Sequence, residues 1–255
     1  MRKLHLHASI ALLALTAICS VSNAQVLTAG SNGGTITGTG VSGMPGAATG
    51  SYSGNQTFMT FSARGGMRLP DFSSIQGSPF LHSMYTLSYI RLKNGFASHA
   101  QAKFSIFTNE VIFTNGSTEM ALDSVDYMTY NVVNAEGAPE LVKLKSGFPA
   151  INKNTTATIY QLLDSGVAIQ FLKHQSQQVE DVRPLGMPAY KEFRTSKEYF
   201  LHINGEGMKK IKLDMKSVQQ ALPSYKDKIQ EIAKQKNLDL RREKDVSTLL
   251  QALQV

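Results

Sequence analysis

The chain has 255 residues, 42% of them hydrophobic, enough for one large domain or two small ones around a real core. Its formal charge is +7, and its single cysteine, Cys19, excludes a disulfide framework and a multi-cysteine metal site. Tyr and Phe supply all the aromatic residues, and with Val, Ile and Thr they favour strands over helices.

The first elements in chain order are an export signal and an arm. Arg2 and Lys3 precede an apolar run, Ile10–Ile18, and Ser22-Asn23-Ala24 places small residues at the positions a signal peptidase reads. Residues 1–24 are therefore expected to be a signal peptide cut after Ala24. The run is shorter than the about 20 residues a membrane helix needs, and no later stretch is apolar enough for one. Ile18 is too bulky for the residue before a lipid-bearing cysteine, so the mature protein is expected to start near Gln25 without lipid. It is expected to be periplasmic or extracellular, in association with the envelope. Loss of residues 1–24 removes Cys19 and lowers the formal charge to +5. Residues 205–255 hold 11 Lys and Arg against 7 Asp and Glu, so the basicity is mostly C-terminal and mixed with acids. Export excludes nucleic acid as a partner. Residues 25–56 read as a flexible arm, since 9 of residues 29–56 are Gly and the stretch has little to bury. It lacks the Lys-Ser/Thr pair that a phosphate-cradling loop requires.

Residues 57–255 are expected to form one β-rich domain ending in helices over about 214–255. Thr86 and Ser88 alternate with Tyr85, Leu87 and Tyr89, and the run ends at Asn94-Gly95, a pair that accepts the positive φ of a tight hairpin. Phe104 and Ile106 share the next strand face, Thr108-Asn109 turn the chain, Val111–Phe113 return, and Asn115-Gly116 turn it again. Val125–Val133, Pro139–Gly147, Thr156–Gly166 and Val167–His174 continue an antiparallel meander. Gln175–Pro188 reads as a long polar loop, and Lys197–Leu213 as a last hairpin around Asn204–Gly207. Then the period changes. Asp214 can cap a helix carrying Met215, Val218 and Leu222; Ser224 can cap one carrying Tyr225, Ile229, Ile232 and Ala233; Val246, Leu249, Leu250 and Leu253 line a third. Strands followed by helices give an α+β class: a mainly antiparallel meander (curved sheet, sandwich or partly open barrel) with C-terminal amphipathic helices.

From Gly77 to Leu253 the order of these pieces resembles a family of exported Bacteroidetes proteins of unknown function. The resemblance rests on Gly77–Leu81 (GSPFL), Leu92–Gly95 (LKNG), Ala102–Phe113, Ala121–Val132, Ile159–His174, Lys197–Leu213 and Lys236–Leu253. This chain departs from it at Phe104-Ser105, where Tyr-Asn is usual, and in its Gly-rich arm. The resemblance implies fold and export and carries no activity.

No catalytic or cofactor motif stands out. His82, His99, His174 and His202 lie far apart, and none shows the His-x-x-x-His spacing that puts two metal ligands on one helical face. His202 sits among Tyr199–Ile203, where the odd positions Tyr199, Leu201 and Ile203 make the better core face. It is expected on the less buried face with Phe200, as an ordinary strand residue. Asp123 and Asp126 are the best carboxylate pair by sequence, but in a strand a spacing of three puts them on opposite faces, so they read as surface residues at a turn. Asp164-Ser165-Gly166 lacks the Gly-x-Ser-x-Gly elbow of a serine nucleophile and reads as a hairpin turn. Glu180-Asp181 reads as a solvated pair. Asp123-Ser124-Val125 is similar to a short O-glycosylation acceptor pattern, which makes Ser124 a candidate acceptor. Arg241, Arg242 and Lys244 are the candidate partner-binding residues.

The expected function is therefore a non-enzymatic envelope protein that binds or scaffolds a protein, peptide or lipid, without cofactor or metal. A sheet edge or an apolar groove between sheet and helices is the expected place. The alternative is a metal-independent hydrolase, which needs two carboxylates converging in one concave pocket.

Overall fold

In the computed structural model, residues 71–114, 119–134 and 136–254 are described. The expected signal peptide, the expected arm and the expected Asn115-Gly116 turn lie outside them. The described residues belong to one compact unit, Met44–Val255. Eleven strands come first: β1 Ile75–Gln76, β2 Thr86–Leu92, β3 Ala97–Ser105, β4 Glu110–Thr114, β5 Glu119–Leu122, β6 Val125–Val133, β7 Pro139–Lys145, β8 Tyr160–Ser165, β9 Ile169–Val182, β10 Tyr190–Ile203 and β11 Gly207–Ile211. Three helices follow: α1 Met215–Ala221, α2 Lys226–Gln235 and α3 Glu243–Leu253. They form one open sheet in the order β1-β10-β9-β8-β7-β6-β2-β3-β4-β5, with β11 also beside β10. Every pairing is antiparallel except β1 with β10.

Connectivity forces this sheet to curve. β5 and β6 stand four strand positions apart, about 19 Å in a flat sheet at about 4.8 Å per spacing. Only Asp123 and Ser124 join them, and three Cα–Cα steps reach at most about 11 Å. The sheet therefore rolls until the end of β5 meets the ends of β2 and β6, where Lys93 N–H donates to the Ser124 carbonyl at 2.8 Å.

The concave side of this roll is the first core. Ile90 and Leu92 of β2, Ala102 and Phe104 of β3, Val111 and Phe113 of β4, Met128 and Tyr130 of β6, and Val142 and Leu144 of β7 all point into it. In β2 the buried face is Ser88, Ile90 and Leu92, while Leu87 is 54% exposed. A second core lies between β9–β10 and the helices: Ile169, Phe171, Leu201 and Ile203 meet Val218, Ile229, Val246, Leu249, Leu250 and Leu253. The expected groove between sheet and helices is thus filled by packed side chains. Polar contacts fix α3 to the strands. Glu243 accepts from Lys173 Nζ at 3.0 Å and from the Tyr199 hydroxyl at 2.7 Å. Gln254 Oε1 accepts the backbone N–H groups of Ala168 and Ile169, both at 3.1 Å.

Three sequence expectations need correction. Gln175–Val182 is strand, paired along its length with Tyr190–Lys197. A ladder to β10 holds Gln175–Val182, none of whose residues is buried, so the alternation that reveals a strand is weak there. Glu180 and Asp181 accordingly lie in β9, where Glu180 stands 3.6 Å from Arg194. Ser224 caps no helix: Pro223–Tyr225 is a 3-10 turn running straight into α2, whose start has no side-chain cap. Asp214, by contrast, does cap α1, accepting from Ser217 N–H at 2.7 Å. Finally, Phe200 is fully buried rather than on a poorly covered face. The β7–β8 connection, residues 146–159, lies over the outer face of β8–β10 and makes a third core of Phe148, Tyr160, Leu172 and Phe200.

Candidate ligand cavity

Where the end of β5 meets the ends of β2 and β6, the rolled sheet leaves a cavity of about 780 Å³. Its floor is Leu92, Leu122, Val125 and Ile159, all members of the first core. Its rim is Lys93, Asn94, Asn109, Glu110, Asp123 and Ser124, with Ala157 on one wall. Six of the eleven lining residues are polar, more than in most small-molecule sites, while the volume falls in the usual range of about 300–1,000 Å³.

Cross-loop hydrogen bonds hold the walls in place. Asn109 Oδ1 accepts from Ile159 N–H at 3.0 Å and its amide donates to the Ala157 carbonyl at 3.4 Å. Lys93 Nζ donates to the Thr156 carbonyl at 3.3 Å. The same carbonyl accepts Gly147 N–H at 2.9 Å, tying the wall to the base of the 146–159 connection. Asn109 and Ser124 have φ of 59° and 56°. Asn tolerates this left-handed region through its short polar side chain, whereas Ser124 is held there against an intrinsic cost of about 1–2 kcal/mol. Such strain persists only where surrounding bonds impose it, and it concentrates at functional sites.

The predicted residues fall in different places. Asp123 and Ser124 line the cavity; Ser124 is exposed. Asp126 lies outside, bound to Arg91 Nη2 at 2.7 Å. Asp164 is buried and accepts from Gln251 Nε2 at 3.0 Å, a contact that docks α3. Arg241, Arg242 and Lys244 are exposed between α2 and the start of α3, with Arg242 Nε 3.7 Å from Asp239. Glu110, Lys93 and Asn109 were not singled out by sequence. Their only signal was the Asn-Gly and Thr-Asn turn chemistry, which says that a turn exists and not that three turns meet.

The histidines do not converge into a metal site: among the described residues no group of three or more His, Cys, Asp or Glu could hold an ion. His82 meets the Tyr130 hydroxyl at 3.0 Å, and His99 packs edge-on against Tyr89. His174 is 6% exposed, and burial lowers its pKa despite Glu198 at 3.7 Å. Burial, with Lys145 nearby, also lowers that of His202. Burial lowers that of His82 as well, against the pull of Glu140. All three shifts have the same sign. The fold favours neutral imidazole, while the unfolded chain takes up protons near pH 6.5. This stabilisation is complete above that value and is lost as pH falls below it through the lowered native values. The midpoint of thermal unfolding should hold between pH 8 and 7 and drop from about pH 6.5 downward, before carboxylates protonate. His174→Gln should flatten that drop; an unchanged slope in the variant would remove His174 from the explanation.

Searches against family models, curated proteins and solved structures find no match for this chain.

Proposed function

We propose that this is an exported, envelope-associated binding protein, carried out by residues 1–24, whose cavity holds an amphiphilic ligand. What supports the reading is the cavity itself: apolar floor, polar rim and walls braced by bonds from three turns. An apolar portion of the ligand rests on Leu92, Leu122, Val125 and Ile159, and its polar portion meets Glu110, Asp123 and Asn94. Bracing before binding lowers the ordering cost of association. The resemblance to exported Bacteroidetes proteins fits the same compartment.

Hydrolysis is the second reading, favoured by one observation: Glu110 and Asp123 share the cavity. Acid–base work needs two carboxyl groups in contrasting environments. Both are half-buried on the same rim, which suits contact with a ligand better than division into acid and base.

Equilibrium dialysis of the purified protein against a small-molecule envelope extract, read by mass spectrometry, tests binding. Ala157→Trp, which fills the wall, should lose the retained compound while thermal stability stays unchanged. Retention unaffected by Ala157→Trp but lost on charge reversal of Arg241, Arg242 and Lys244 would move the site to the exposed basic face. Turnover of the compound that disappears in Glu110→Gln or Asp123→Asn would favour the hydrolase.

A further inference from the structure

His202 and His174 stand at the two ends of one row of rings beneath the 146–159 connection. His202 packs edge-on against Phe148 at 5.3 Å, Phe148 edge-on against Tyr160 at 5.6 Å, and the Tyr160 and His174 rings lie tilted to each other at 5.6 Å. Phe148 and Tyr160 are 3% and 0% exposed, so these rings pin the connection to the sheet. The Tyr160 hydroxyl and His174 Nδ1 are buried with no hydrogen-bond partner among the described residues. From that anchorage the connection runs through Ala157 and Ile159, which line the wall and floor of the cavity.

The charges around the row make it sensitive to protons. Glu198, on β10 opposite His174, stands 3.7 Å from its Nδ1 and is already bound by Lys210 Nζ of β11 at 2.6 Å. Lys153, in the connection itself, opposes a charge on His174. Lys145 of β7 lies over the Phe148 ring at 5.4 Å and opposes a charge on His202. Gln170 Oε1 lies 3.3 Å from His202 Nδ1. Two added protons would thus sit among Lys145, Lys153 and Lys210 with one carboxylate between them, under a strap that carries one of those lysines.

We propose that His174 and His202 form an acid-operated latch: neutral, they hold the 146–159 strap down; protonated, they release it and open the cavity wall. The opening of the cavity rests on the binding reading above; the release of the strap does not. Neutral histidines favour the latched state because burial excludes the charged form. Acidification then draws Glu198 from Lys210 toward His174 and sets like charges against Lys153 and Lys145. Tight holding near neutral pH and release in acid follow.

Hydrogen exchange on the ligand-free protein, at pH 7.5 and 5.5 and corrected for intrinsic rates, reads the strap directly. The amides of Gly147, Ile151, Asn154 and Ile159, each hydrogen-bonded in the latched state, should lose protection at pH 5.5. Those of Ala102 and Phe113, deep in the β3–β4 ladder, should keep it. The double variant His174→Gln/His202→Gln should abolish the pH dependence at the strap. Equal protection at both pH values, or the same loss in the double variant, overturns the latch. If that variant does not fold, imidazole titration of the native protein by NMR decides. Strap amide shifts that follow the His174 and His202 midpoints support the latch, and histidines that titrate without strap shifts overturn it. No ligand enters either measurement, so failure of the latch leaves the dialysis test of binding untouched, and the reverse holds too.

Discussion

Leu250→Ala lowers the free energy of unfolding by about 2–5 kcal/mol, the range for truncating a buried leucine. Leu250 is 0% exposed and lies in the core shared by α3 and β9–β10, beside Val246, Leu249 and Leu253. Polar contacts at both ends of α3 limit how far the helix can slide to fill the void: Glu243 with Lys173 and Tyr199 at one end, Gln254 with Ala168 and Ile169 at the other. A cavity that cannot collapse puts the cost toward the upper part of the range. Urea unfolding checks it: the midpoint falls with an unchanged slope, because the whole unit still unfolds together. A silent substitution would mean that the helices form a module independent of the sheet.

Phe200→Ala costs about 3–5 kcal/mol, the range for deleting a buried phenyl group. Phe200 is 0% exposed and meets Tyr160 edge-on at 5.6 Å, with Phe148 and Leu172 completing the third core. Its neighbour Leu201 is also 0% exposed, on the opposite face of β10. Leu201→Ala should therefore cost about 2–5 kcal/mol as well, and Phe200→Leu, which keeps most of the volume, less than Phe200→Ala. Urea unfolding of the three variants tests this. A small loss from Phe200→Ala beside a large one from Leu201→Ala would mean that the 146–159 connection does not cover the sheet.

Reading β10 from sequence shows where alternation stops being informative. Tyr199, Leu201 and Ile203 were legible as a core face, and they face the helices. Phe200 shares its parity with His202, and the same pattern puts it on the poorer face. A strand buried on both sides loses its contrast between odd and even positions, and the cover here comes from a connection distant in the chain. The ribbon of β9 and β10 fails in the opposite sense. Gln175–Val182 buries little, so its alternation is weak, yet its ladder with Tyr190–Lys197 is continuous.

The cavity was half legible for a similar reason. Asn94-Gly95, Thr108-Asn109 and Asp123-Ser124 announce turns by residue type, and each is a turn or link in the structure. Nothing in those short stretches tells that the three come together, because their meeting depends on how far the sheet rolls. Glu110 and Asp123 are set side by side by the β4–β5 hairpin, whose register pairs Val111 with Leu122, and only the approach of Lys93 and Asn94 to them waits on that roll.

Local chemistry, then, was enough to determine the strand-then-helix order, most of the hairpin turns, the Asp214 cap and the apolar stripes of α2 and α3. Each depends on residues within a few positions of one another. Tertiary structure alone decided the strand order, the curvature, the second buried face of β10 and the cavity. It also decided the row in which His202, Phe148, Tyr160 and His174 stand together. Those features depend on strand pairings and ring contacts between residues tens of positions apart, which no local period records.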